Sequence, residues 1–100
     1  MDVSKAERAF EKMPVEDVFE LNPETGELFW KITRNNKKAG TRAGTFHARS
    51  GFRKIMFNYC SFSEHQIVWR LVHGYWPEKP IIHINGDKTD NRPENLKEKE

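Results

Sequence analysis

The sequence predicts an α+β fold made of small antiparallel β-hairpins and helices. Three observations lead there. Phe62–His73 carries a wide apolar stripe at helical spacing and ends in a glycine. Leu21–Trp30, Phe52–Tyr59 and Ile81–Ile84 are short β-prone runs bounded by turn residues. Asn85–Gly86 is the strongest two-residue hairpin signal in the chain.

In chain order, Ser4–Met13 reads as a short helix, with Ala6, Ala9, Phe10 and Met13 on one face. Ser4 fits an N-cap, with Glu7 completing a capping box, and Pro14 closes the helix. Val15–Glu20 is either another turn of helix or an extended lead-in. Leu21–Trp30 reads as a hairpin turned by Pro23 and Gly26, and Lys31–Thr45 as a long basic loop or ribbon. Ser50–Gly51 marks a turn before the Phe52–Tyr59 strand. Phe62–His73 is the strongest helix: Ser63 and Gln66 make a capping box, and Ile67, Val68, Leu71 and Val72 form the stripe with Trp69 beside it. Gly74 suits its C-cap, and Pro77 follows. Ile81–Ile84 reads as a strand. Asp90–Leu96 reads as the first turns of a last helix, with Asp90 or Asn91 near the cap and Pro93 in the first turn.

One hundred residues correspond to one domain, 1–100, divided into a helix (1–14), a β-rich basic region (15–59) and a helix with a terminal unit (62–100). No run reaches the roughly 18 apolar residues of a membrane span. Met1–Ser4 lacks the apolar core of a signal peptide. A single cysteine, Cys60, excludes an internal disulfide and a Cys-rich zinc site, and suits a reducing cytoplasm. The net charge of +2 conceals segregation. Residues 1–30 hold three basic and eight acidic side chains, whereas residues 31–54 hold eight basic and no acidic ones. That block (Lys31, Arg34, Lys37, Lys38, Arg42, Arg49, Arg53 and Lys54) is the expected footprint for a DNA backbone. A solvated basic loop is the plainer alternative. Trp30, Trp69 and Trp76 are expected in the core rather than as base-stacking platforms. Cys60 with His47, His65 and His73 is too scattered to predict a zinc site.

The stretches EHQIVWRLVHGYWP (64–77) and IIHINGDKTDNRPENL (81–96) resemble the HNH homing-type endonucleases common in bacteriophages. NPETGELFWK (22–31) and KKAGTRAG (37–44) resemble the N-terminal part of those proteins, so the likeness covers residues 15–96 and leaves the first helix aside. It implies a terminal ββα-metal unit that hydrolyses phosphodiesters with a histidine base and a divalent cation such as Mg²⁺. His83 matches the general base, Asn95 the asparagine that braces the surrounding loop, and His65 a supporting histidine. Ile82 stands where the family has a metal-binding Asp or His, and the family's further metal ligand lies beyond Glu100. Glu64–His65–Gln66 also departs from the common Ala-His-Arg. Asp87 and Asp90 could replace the ligands, but in the family such positions shape the turn and cap the helix. The resemblance thus implies an HNH-like phage protein, cytoplasmic in an infected bacterium, inactive as it stands. It would bind DNA, or a host nucleic-acid-handling protein through its acidic N-terminal third, as an inhibitor for example. The alternative is an active metal-dependent nicking enzyme. Natural loss and deliberate inactivation fit the pattern alike.

Overall fold

A computed structural model of the protein describes residues 3–34 and 37–99. Met1, Asp2 and Glu100, which the sequence reading included, lie outside the described residues. The elements are α1 (Val3–Ala9), α2 (Val15–Val18), β1 (Phe19–Asn22), β2 (Glu27–Trp30), β3 (Thr45–His47), β4 (Phe52–Phe57), β5 (Cys60–Ser63), α3 (Glu64–His73), β6 (Ile81–His83) and β7 (Leu96–Glu98), with a 3₁₀ turn at Pro93–Asn95. The predicted α+β class is borne out: among the described residues, three helices accompany three antiparallel sheets, β1-β2, β3-β4-β5 and β6-β7.

Helix α1 is shorter than expected. Ser4 lies inside it rather than capping it, and Met13 is exposed past its end. Proline disfavours helical backbone at the residue before it, which bars Met13, but α1 already ends at Ala9. Val15–Glu20 takes both forms offered by the sequence: one turn of α2, then the start of β1. The β1–β2 hairpin pairs Phe19 with Trp30 and Asn22 with Glu27. Its turn needs Gly26 twice over. The residue has φ +77°, and an added Cβ would stand 2.3 Å from the backbone of Asn91 and Arg92. The N-terminal hairpin is therefore seated directly on the segment after β6.

Strand β5 is a correction to the sequence reading, which began a helix at Phe62. The chain reverses at Asn58 and Tyr59, both at positive φ, and Phe57 pairs with Cys60. Asn58 secures this turn by donating from Nδ2 to the Ala9 carbonyl at 2.7 Å. Helix α3 then starts at Glu64. Gln66 reaches back to accept from the Ser63 N–H at 3.3 Å, and Gly74 ends the helix in the left-handed conformation. Val72, expected in its apolar stripe, is exposed, while Ile67, Val68 and Trp69 are buried.

The last helix expected at Asp90–Leu96 is also corrected. Pro93–Asn95 makes a single 3₁₀ turn, and Leu96–Glu98 forms β7, antiparallel to β6 with His83 opposite Leu96. Pro93 suits the first position of either kind of helix. Pairing with β6, a contact remote in sequence, draws the chain into strand instead.

One buried apolar cluster draws on residues from Ala6 to Leu96. Its centre is aromatic: Phe10 stacks on Phe57 (centroids 4.8 Å) and on Trp76 (5.6 Å), and Phe19 packs against Trp30 (4.8 Å). All three tryptophans are buried, as expected. No described helix is long and apolar enough to cross a membrane.

Candidate functional site

Strand β6 turns His83 inward, where it is 8 % exposed. Successive strand residues face opposite sides, so Ile82 lies on the other face of the β6–β7 ribbon. The His83 ring meets two others. The His65 ring, from the first turn of α3, stands edge-on with centroids 5.0 Å apart. The Phe52 ring, from the start of β4, lies 5.2 Å from His65 and 6.0 Å from His83. Burial lowers the His65 pKa to about 4, helped by the charges of His83 and Lys54, so this imidazole is neutral near pH 7.

Asn95 is joined to the loop after β6 by several bonds. Its Oδ1 accepts from the Asn85 N–H at 2.9 Å, and its Nδ2 donates to Asn85 Oδ1 at 2.9 Å and to the Asp90 carbonyl at 2.8 Å. Its own carbonyl accepts from the Ile84 N–H at 2.8 Å. Asp90 receives two bonds from the Arg92 guanidinium, each 2.8 Å, and these hold its carboxyl down to about 2. Asp87 accepts from the Thr89 backbone and hydroxyl, which lower its pKa.

Several participants escaped the sequence reading. Asn91, considered only as a helix cap, is 1 % exposed and meets the ring of His83, with Oδ1 2.8 Å from Nε2. Glu64, noted only as a departure on a DNA side, is buried. Its Oε2 accepts from Arg53 Nε at 2.7 Å, and Arg42 Nη2 lies 3.9 Å from Oε1. Burial raises its pKa against the opposing pull of those arginines. Close approach of the Gly44 backbone completes the site: a Cβ there would fall 2.8 Å from Glu64 Oε2. Lys88, outside the basic block, sets its Nζ 5.0 Å from the Phe52 ring centroid. Only the pairing of sheet and helix reveals these neighbours; the signal for Glu64 was an acid at the start of a helix whose next turns are apolar.

The eight cations of the basic block part ways. Arg53 is withdrawn from solvent, held by Glu64 and by the Gly44 carbonyl at 2.9 Å. Arg42 pairs with Glu27 at 3.2 Å. Arg34 lies over the Phe57 ring and bonds to Asn58 Oδ1. Lys31 reaches the Glu16 carbonyl at 3.0 Å. Lys37, Lys38 and Arg49 are exposed, and Lys54 acts on His65.

A hard divalent cation asks for several oxygen donors. The residues described do not fit one beside His83. Ile82 carries no donor, Asp87 and Asp90 are engaged within their own loop, and no three His, Cys, Asp or Glu converge among the described residues. Cys60, His47 and His73 are likewise not gathered with His65.

No curated protein and no solved structure matches the chain. Residues 64–99, which run from the start of α3 through β7 and include His65, His83, Asn91 and Asn95, match the family model of the HNH endonucleases.

Proposed function

We propose that this chain is an HNH-type protein that binds DNA without hydrolysing it by its own residues. One observation carries the reading: His83, the general base by resemblance, is buried and hydrogen-bonded, while its neighbour Ile82, at the position that the resemblance gives to a metal ligand, brings no donor atom. A general base contributes roughly 10²–10⁴-fold. Stabilisation of the developing phosphoryl charge is usually the larger factor, and it is the part without a protein ligand here. The exposed Lys37, Lys38 and Arg49, with Lys54 and Lys88 near the histidines, supply the phosphate contacts. A phage setting belongs to the same reading, as does a host nucleic-acid-handling protein inhibited through the acidic N-terminal third, where Glu7, Glu11, Asp17, Glu20 and Glu24 are exposed.

The test is nicking of supercoiled plasmid with Mg²⁺ or Mn²⁺, run beside a DNA-binding titration in salt. The expected outcome is binding that weakens with salt and no cleavage. Metal-dependent nicking that His83→Ala abolishes would overturn the reading.

A second reading, a nicking endonuclease completed by donors from another chain, is favoured by the ordered surroundings of His83. It predicts that Ile82→Asp introduces or enhances metal-dependent nicking.

A further inference from the structure

Glu64 and Asn91 each leave one buried polar atom without a hydrogen bond, Oε1 and Nδ2 respectively. The Asn91 amide acts on the Glu64 carboxyl and favours its ionised form. Two guanidiniums, Arg53 at 2.7 Å and Arg42 at 3.9 Å, favour the ionised form of that carboxyl against the effect of burial. An ionised carboxylate only accepts hydrogen bonds, so the amide must turn its donor, Nδ2, towards it. The other end of the amide, Oδ1, then faces His83 Nε2 at 2.8 Å. An amide oxygen also only accepts, so Nε2 must carry the proton.

We propose that Glu64 and Asn91 are positioning residues that lock His83 in its Nε2–H tautomer and leave Nδ1 as the unprotonated nitrogen. Neutral imidazole has one lone pair, and this chain of contacts decides where it is. Glu64 acts at one remove, through the Asn91 amide, and touches neither the ring nor any substrate. With glutamine at position 64 the neighbouring group can donate as well as accept. The Asn91 amide can then turn over and present Nδ2 to the ring, which selects the Nδ1–H tautomer.

The experiment is a long-range ¹H–¹⁵N correlation spectrum of the labelled full chain at pH 8, with the His83 signals among the four histidines assigned by their loss in His83→Gln. The expected wild-type result is an exchange-protected Hε2 resonance and a protonated Nε2. Glu64→Gln should lose that resonance. Glu64→Gln with Asn91→Asp should regain it, because a carboxylate at position 91 accepts from Nε2–H without help. A wild-type His83 protonated on Nδ1 overturns the proposal, and so does an Hε2 resonance that persists in folded Glu64→Gln. The wild-type spectrum requires no variant to fold. The importance of the lock for catalysis rests on the reading of His83 as base. The spectrum, however, reports the proton whether or not DNA is cut, so either can fail without the other.

Discussion

The aromatic core and the histidine centre are buried to a similar degree, yet they meet the demands of burial in different ways. Around Phe10, ring packs on ring. Around His83 the buried groups are Glu64, His65, Asn91 and Asn95, and Glu64 Oε1 and Asn91 Nδ2 make no hydrogen bond. Removing a charge or amide from water without full compensation is unfavourable, so the second centre is a poor way to gain stability. The contrast assigns the two centres different work: the rings hold the fold, and the polar centre arranges a histidine.

The largest loss is expected from the rings. Phe10→Ala should cost about 3–5 kcal/mol, read as a fall in the urea midpoint at constant slope. A loss below about 1 kcal/mol would mean that the aromatic core does not carry the fold. Glu64→Ala should cost about 3 kcal/mol, because it leaves the half-buried Arg53 guanidinium with the Gly44 carbonyl but no carboxylate. Glu64→Leu with Arg53→Met should recover most of that loss. Failure to recover would show the ion pair to be a stabilising feature and break the contrast.

Acid provides the next test. Folding depresses the His65 pKa from 6.5 to about 4, so the unfolded chain binds the proton more readily. The stability due to its neutral form is present above pH 6.5 and is progressively lost down to about pH 4, a total of about 3 kcal/mol. Glu64 acts in the opposite sense, since its raised pKa favours the folded state as pH falls. The comparison is therefore wild type against His65→Leu, and the difference in urea midpoint should shrink across that window.

Asn95→Ala should cost about 1–3 kcal/mol and loosen the turn after β6, seen as faster hydrogen exchange at the Asn85 amide, which bonds to Asn95 Oδ1. The smallest effect on stability is expected from Lys37→Ala with Lys38→Ala, within about 0.5 kcal/mol. On DNA the pair should reduce the salt slope by about one for each lysine that meets a phosphate.

Much of this could be read from the sequence, and the exceptions share a cause. Helix α3 was legible because Ser63, Gln66 and Gly74 state both of its ends locally. The hairpin at Pro23–Gly26 was legible for the same reason. Strand β5 was not, because its turn uses Asn58 and Tyr59 where a glycine would have announced it. Strand β7 was hidden because the residues that suit a helix start at Asp90–Pro93 also suit a 3₁₀ turn, and pairing with β6 decides between them. At the site, the segment with His83 and Asn95 could be found by its pattern. The inward turn of Glu64, the removal of Arg53 from the basic surface and the contact of Asn91 with His83 could not. Each depends on which side chains from distant segments fill the same space.

The approach of Gly26 to the Asn91–Arg92 backbone bears on modularity. The segment that matches the nuclease family begins at Glu64, but its interior is finished by residues that precede it. The β1–β2 turn covers Asn91, and Arg53 neutralises Glu64 from strand β4. Residues 64–99 excised from the chain would expose an asparagine and strand a carboxylate, so that piece is expected not to fold on its own. A graft of this histidine site onto another scaffold has to carry the N-terminal hairpin and β4 along with it.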